Sequence, residues 1–294
     1  MTDSPIPGWL GLLIAATVFL VMLSLGLMLG REQFEAALRR RVLLAALLFG
    51  TVVPVPLIAL LAVKLFGLKG AVAAGILLMA ICPGAPVAMR RAIDAGGSTT
   101  FAPALHLAIV LCAVVTIPAW LALLDLAFDK DFVVTPLDIA RQVFFAQLLP
   151  LGLGAALRAW APAAATRIEK PLGRVANLML LAAVVVLLVV LWRMLAETGW
   201  TPFVAGLGLT ACALAFGAAF AGRHSAERPA GAVAAAMRNP GLALLIATLN
   251  KMPVAIVPAV FAYTLGAALV VTTFVVWQGK RAARPAGAPQ PRAG

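Results

Sequence analysis

The chain alternates between long apolar runs and short polar hinges. Each run is nearly free of charged residues and has about the 20 residues that a helix needs to cross a hydrocarbon core. The hinges carry proline, glycine and charge, as in 64–70, 125–136 and 158–174. The pattern predicts an all-α polytopic membrane protein with about nine transmembrane helices, at 6–29, 42–63, 70–94, 101–124, 139–157, 175–192, 202–222, 229–250 and 253–277.

Proline–glycine pairs interrupt two of these spans near the middle. Pro83 and Gly84 lie in the third span, and Pro240 and Gly241 lie in the eighth. Proline removes a backbone donor and glycine tolerates distorted dihedrals, so we expect both helices to break at bilayer depth. Paired interruptions of this kind are typical of the binding sites of secondary transporters. We therefore expect inverted repeats whose two broken helices, the third and the eighth, cross near the midplane.

The expected crossing has a positive character. Half-helices that restart after each break would point their positive amino-terminal ends at it, which favours an anionic solute. Arg238 lies nine residues after Pro229 and twelve before Asn250, close to the middle of its span. A central arginine costs about 2.5–3.5 kcal/mol on insertion-based scales, so it is usually compensated or functional. Two roles stay open for Arg238: contact with cargo or coupling, or a cap on the helix end before the break.

Other candidate groups within the spans are few. His106 is one, because histidine titrates near neutrality, although a lone buried histidine is more often structural. None of the acidic residues falls in the middle of a span, so a carboxylate proton relay is not indicated. The three cysteines, Cys82, Cys112 and Cys212, have no metal-ligand spacing. The sequence shows no nucleophile paired with a base, no cluster of metal ligands and no pair of carboxylates, so it does not suggest an enzyme.

Composition and charge distribution agree with a membrane protein. The chain is 63% hydrophobic and 12% charged, with a mean hydropathy of +1.05. The net charge of +12 needs no nucleic acid as a partner, because the basic residues concentrate in alternate hinges. This bias predicts an integral protein of a bacterial inner membrane, with the N-terminus outside and the C-terminus cytoplasmic. The tail 278–294, rich in Ala, Pro, Gly and Arg, is expected to be disordered. The oligomeric state stays open.

Three stretches resemble the bile acid:sodium symporter family. The segment from Gly26 to Leu29, followed by Phe34, is similar to the first conserved stretch of that family. Cys82-Pro83-Gly84 matches its Cys-Pro-Gly-Gly turn, with Ala85 in place of the second glycine. The segment from Asn239 to Ala243 resembles its Gln-Asn-x-x-Leu-Ala sequence. The resemblance covers roughly residues 20–120 and 230–275.

This resemblance implies an architecture and a class of cargo. Within a single membrane domain, 1–294, it implies a panel from about 6–29 and 139–192, and a core from about 42–124 and 202–277 that holds the crossed helices. It also implies transport of small organic anions, such as bile acids, sulfated steroids and pantoate, by alternating access.

The family positions that supply side-chain oxygens to two sodium ions mostly carry other residues in this chain. They fall on Thr51, Ala88, Met89, Ala102, His106, Ala234 and Arg238. Hard cations need several oxygen ligands, which alanine and methionine side chains do not provide. Only Thr51, Asn239 and main-chain carbonyls remain as possible ligands. We therefore expect no cofactor and no sodium coupling of the usual kind.

A specific hypothesis follows for Arg238: it acts as a tethered cation in place of a sodium ion, holds the crossing together and pairs with the cargo. The alternative is that the sodium positions have drifted and Arg238 only locks a helix end. Two other functions also stay open. The protein could be a ligand-binding sensor that does not transport, or an arsenite-type efflux carrier in which Cys82 binds arsenic.

Overall fold

The computed structural model describes residues 8–127, 136–222 and 227–282, and the regular secondary structure in these ranges is entirely helical. In chain order the helices are α1 (Gly8–Leu27), α2 (Arg31–Arg39), α3 (Arg41–Val52), α4 (Pro54–Leu65), α5 (Gly70–Ile81), α6 (Ala88–Asp94), α7 (Phe101–Ala127), α8 (Pro136–Val143), a π-helical turn (Phe144–Leu148), α9 (Leu149–Trp160), α10 (Pro162–Glu197), α11 (Thr201–Phe220), α12 (Arg228–Ala236), α13 (Pro240–Leu249) and α14 (Ile256–Ala282).

Seven segments of the described chain are long and apolar enough to cross a membrane. They are Gly8–Leu27, Arg41–Leu65, Phe101–Ala127, Leu137–Trp160, Pro162–Leu187, Thr201–Phe220 and Ile256–Arg281. The protein is therefore an all-α integral membrane protein, as the hydropathy pattern predicts. Two further segments, α5 with α6 and α12 with α13, are interrupted, and each contains one short apolar helix, α5 or α13. The predicted total of nine crossings depends on counting both, and it stays a prediction.

The sixth predicted span differs most from the structure. The hinge predicted at 158–174 is reduced to Ala161, because α9 ends at Trp160 and α10 is helical from Pro162 onward. Proline suits the first turn of a helix, and the three alanines that follow it are the best helix formers. Arg167 and Arg174 are exposed on this extension. The predicted span was placed where charged residues are few, so it missed the more charged first part of the same helix.

The last helix is also longer than predicted. Helix α14 continues to Ala282, so the tail that was expected to be disordered from residue 278 begins no earlier than residue 283. Residues 283–294 lie outside the described chain.

Both predicted breaks occur, and each contains an extended residue directly before a proline. Helix α5 ends at Ile81 and α12 ends at Ala236, so Cys82 and Asn239 each stand between a helix end and a proline. The ring of a following proline disfavours the helical conformation. Cys82 accordingly has φ −99° and ψ 82°, and Asn239 has φ −98° and ψ 92°. These extended residues leave main-chain groups that a helix would otherwise have paired.

A third break, not predicted, divides the second span. Helix α3 ends at Val52 and α4 starts at Pro54, with Val53 between them. The apolar run continues through this point, so the hydropathy pattern gives no sign of it. Pro54 lacks the N–H that would continue the helical hydrogen bonds. The Nε1 of Trp120, on α7, donates to the Val52 carbonyl at 2.9 Å.

The helices form one packed bundle. Helix α1 packs on α9 and α10, which matches the set of spans assigned to the panel, but it also contacts α13 of the predicted core. The division into panel and core therefore stays a prediction. Glycines allow the closest approaches: Gly206 of α11 lies against the main chain of Tyr263, and Gly266 of α14 lies against the carbonyl of Phe203.

We predict that Gly206→Ala destabilises the protein and that Gly208→Ala does not. A Cβ at position 206 would overlap the Tyr263 main chain, whereas a Cβ at position 208 would meet nothing within 4 Å. Overpacking of this kind costs about 1–3 kcal/mol of unfolding free energy. Alanine at position 208 should leave it unchanged or raise it by up to about 1 kcal/mol, because alanine favours the helix. Denaturant unfolding of purified protein, followed by tryptophan fluorescence, measures both, and equal losses would contradict the prediction.

Candidate functional site

The two interrupted segments meet at their breaks, which confirms that the broken helices cross. The N–H of Asn239 donates to the Cys82 carbonyl at 2.8 Å, and Pro83 and Arg238 form an isolated antiparallel bridge. The side-chain Nδ2 of Asn239 also donates to the Gly84 carbonyl at 3.3 Å. The main-chain groups that the prolines remove from their own helices thus pair across the crossing.

Each predicted break residue has a distinct place there. Gly84 is buried with φ +80°, in the left-handed region that favours glycine, and a Cβ on it would contact Ile109 and Val110 of α7. Pro240 is the first residue of α13, where its missing N–H is not needed. Gly241 lies close to Val18 of α1. The crossing is therefore enclosed by α7 on one side and α1 on the other.

Arg238 ties three separate helices together. Its Nη1 donates to the Ala80 carbonyl at 2.9 Å. Its Nη2 donates to the carbonyl of Thr51 at 2.9 Å and to that of Ala235 at 2.7 Å. The side chain is only 4% exposed, so these contacts are shielded from water.

The three acceptors share an origin in helix termini. Thr51, Ala80 and Ala235 lie in the last turns of α3, α5 and α12. The last carbonyls of a helix have no partner in that helix, and the negative end of the helix dipole lies there. A planar guanidinium can donate in several directions at once, which suits three carbonyls that arrive from different helices. Breaks in three helices thus create the binding site for one cation.

The Arg238 guanidinium has no neutralising carboxylate among the described residues, and some of its N–H donors are unused. No carboxylate among the described residues forms an ion pair with Arg238. It has five N–H donors, of which three are used, and its Nε has no partner in the described part of the chain. Two donors remain. These contacts support the helix-capping role left open by the sequence, while contact of Arg238 with cargo stays a prediction.

The two side chains predicted as remaining oxygen ligands are engaged locally. The hydroxyl of Thr51 donates to the Leu47 carbonyl at 2.8 Å, and only its main-chain carbonyl faces Arg238. The Oδ1 of Asn239 accepts from the Leu242 N–H at 3.0 Å and caps α13. Main-chain carbonyls thus supply the oxygens that surround the guanidinium.

His106 lies beside the first break and has no hydrogen bond to Arg238. It is buried on α7, one turn before Ile109 and Val110, the residues that face Gly84. Its Nε2 has no partner in the ranges described. The structure thus brings Pro83, Gly84, Thr51, Arg238, Asn239, Pro240 and Gly241 together and leaves His106 at their edge.

Only one of the two half-helices begins directly at its break. Helix α13 begins at Pro240, within the crossing, and has ten residues. Helix α6 has seven residues and begins at Ala88, because a turn from Ala85 to Ala88 follows Gly84. Its amino-terminal end therefore lies four residues after Gly84 rather than at the break itself.

Gln147 is a further candidate that the sequence reading did not single out. It is fully buried in the π-helical turn, and neither its Oε1 nor its Nε2 has a partner in the described chain. This turn contacts α1 and α7, the two helices that enclose the crossing. Isolated π-turns occur often at functional sites, and buried polar atoms without partners are rare. The sequence feature that could have indicated Gln147 is its position as a polar residue within the apolar fifth span.

Comparisons with known proteins agree with this architecture. The model of the sodium bile acid symporter family matches residues 15–198, more than half of the 294 residues. The match includes the first break and Gln147, and it ends before Arg238. The chain is 30% identical over 161 residues to sodium/bile acid cotransporter 4 of mouse, and equally to that of human. The aligned part covers 53% of this chain and 36% of each relative. The protein belongs to the sodium bile acid symporter family, whose members are membrane transporters.

Proposed function

We propose that this protein is a secondary transporter that moves small organic anions by alternating access and needs no sodium ion at the crossing. The observation that carries the proposal is the buried guanidinium of Arg238. It lies where two broken helices cross, it contacts three helix ends, and no carboxylate of the described chain neutralises it.

The charge at the crossing supports an anionic cargo. A buried cation without a carboxylate partner carries an electrostatic cost that a bound anion would reduce. The two N–H donors that Arg238 leaves unused, and the amino-terminal end of α13, would favour the same sign of charge. The matched relatives are named for bile acids, which are organic anions. Carboxylates and sulfonates with an apolar body are therefore the first compounds to test.

The surroundings of the guanidinium support independence from sodium. Oxygen atoms are the ligands that hard cations prefer, and the crossing gathers carbonyl oxygens from α3, α5 and α12. Here these oxygens accept hydrogen bonds from a cation that is covalently attached to the chain. A fixed positive charge would supply the electrostatic effect of a bound ion without ion movement.

The buried amide of Gln147 supports movement of one part of the bundle against another. An unpaired amide away from water is costly, so a conformation that gives it a partner would be favoured. Cargo that enters between the π-helical turn and the crossing would supply hydrogen-bonding groups to Gln147. This arrangement would place the cargo between the proposed panel and the proposed core.

We predict that uptake does not depend on the external cation. Proteoliposomes that contain the purified protein should take up labelled taurocholate or pantoate at equal rates with sodium, potassium or choline outside, and empty liposomes provide the background. Uptake that occurs only with sodium would contradict the tethered-cation proposal. A probe that raises the melting temperature but never enters the vesicles would favour the ligand-binding sensor instead.

We predict that Gln147→Leu slows transport without loss of stability. The change removes two unpaired polar atoms, so the free energy of unfolding should stay the same or rise by about 1 kcal/mol. The loss of one hydrogen bond to cargo should slow uptake roughly tenfold.

Gln142→Leu is the matched control for this change. Gln142 pairs with Asn250, with the shorter of the two amide contacts at 3.0 Å, so its replacement should lower stability. If Gln147→Leu transports at the normal rate but unfolds more easily, Gln147 has only a structural role.

A further inference from the structure

A cleft at the start of α3 is the strongest feature that the transport proposal does not use. Its volume is about 640 Å³, and it lies between the α2–α3 junction and the end of α11. Arg39, Arg40 and Arg41 form one part of its lining, and Val42, Ala46 and Phe220 form another. The cleft therefore combines a cationic part with an apolar part.

The three arginines differ in what they already contact. Arg40 is committed to the protein, with its Nη1 at 2.6 Å from Oε1 of the buried Glu227. Arg39 has an exposed side chain, and its only ion pair in the described ranges is a loose one to Glu35 at 3.8 Å. Arg41 is exposed and forms no ion pair or hydrogen bond with the described residues. Arg39 and Arg41 can thus bind an external anion.

The apolar part of the cleft continues along one face of α3. Val42, Ala46 and Phe49 are spaced by four and three residues, so they form a stripe about 10 Å long. Val42 is 79% exposed and Phe49 is 51% exposed. Phe220 of α11 borders the stripe, with its ring centroid 5.6 Å from that of Phe49.

The order of these groups along α3 matches the order of groups in a phospholipid. Arg41 is the first residue of a segment long enough to cross the membrane, so the arginines lie at the level of the lipid headgroups. The stripe runs from there toward the hydrocarbon core. We propose that this cleft binds one anionic phospholipid, with its phosphate on Arg39 and Arg41 and an acyl chain along Val42, Ala46 and Phe49. A small soluble anion would use the arginines but not the stripe.

Native mass spectrometry of the full chain in detergent tests this proposal. The probes are dioleoyl phosphatidylglycerol and dioleoyl phosphatidylcholine, which differ in headgroup charge and share the same acyl chains. The wild type should retain phosphatidylglycerol in preference to phosphatidylcholine. The double variant Arg39→Gln, Arg41→Gln should bind it roughly 30-fold more weakly, from the usual effect of two basic residues at a lipid surface. Arg40 is left unchanged because it holds the buried Glu227.

Arg167→Gln with Arg174→Gln is the matched control. It removes two exposed arginines from α10 and should leave the lipid bound. Equal retention of the two lipids by the wild type, or equal loss in the control variant, would overturn the proposal. Thermal unfolding of each variant shows whether it is folded. If the control variant keeps the lipid, the weaker binding of the double variant cannot be explained by the loss of two positive charges anywhere on the protein.

A second measurement separates a lipid from a free anion. Val42→Ser changes an exposed residue of the stripe, so it should weaken binding of the dioleoyl lipid while the protein stays folded. Soluble glycerol phosphate should compete poorly with the lipid. If glycerol phosphate displaces the lipid at an equal concentration, or if Val42→Ser has no effect, the cleft is a site for soluble anions and the proposal fails.

Discussion

The contact between the Arg238 guanidinium and three helix carboxyl ends is the interaction on which the rest of this structure depends. Breaks in three helices leave carbonyls that water would satisfy in a soluble protein, and no water is available in the hydrocarbon core. Arg238 pairs with carbonyls of α3, α5 and α12, while Trp120 pairs with the Val52 carbonyl of α3. Asn239 joins the two broken segments at the crossing, through its main-chain N–H to Cys82 and its side-chain amide to Gly84. The breaks and the residues that satisfy them form one unit.

This unit connects architecture with transport. The chain belongs to a family that is named for sodium and bile acids, and here a side chain brings its own positive charge to the point where the two broken helices cross. The carbonyl dipoles offset much of the cost of burying that charge, but they do not neutralise it as a carboxylate would. This permanent cation inside the bundle is the basis for the proposed anionic cargo. The Nε2 of His106 and the side-chain amide of Gln147, both buried and without partners among the described residues, extend the same region.

The sequence predicted the crossing well because its cause is local. Proline affects the residue before it, so the extended residues Cys82 and Asn239 could be inferred from Pro83 and Pro240 alone. The break at Pro54 was missed because the apolar pattern is unchanged there. The partners of Arg238 could not be predicted either, since main-chain carbonyls belong to every residue and have no signature in a sequence. The burial of Gln147 depends on a π-turn, and its contacts depend on tertiary packing. The sparsely charged run from residue 175 likewise did not show that α10 begins as early as Pro162.

The most direct test of the tethered cation is the thermal unfolding of Arg238→Ala with and without free guanidinium. The substitution removes the cation but keeps the three carbonyls, and it leaves space for a guanidinium ion to bind. Millimolar guanidinium chloride should raise the melting temperature of this variant, whereas choline chloride at the same concentration should not, and the wild type should respond to neither. A variant as stable as the wild type, or one that responds equally to the two salts, would contradict the account.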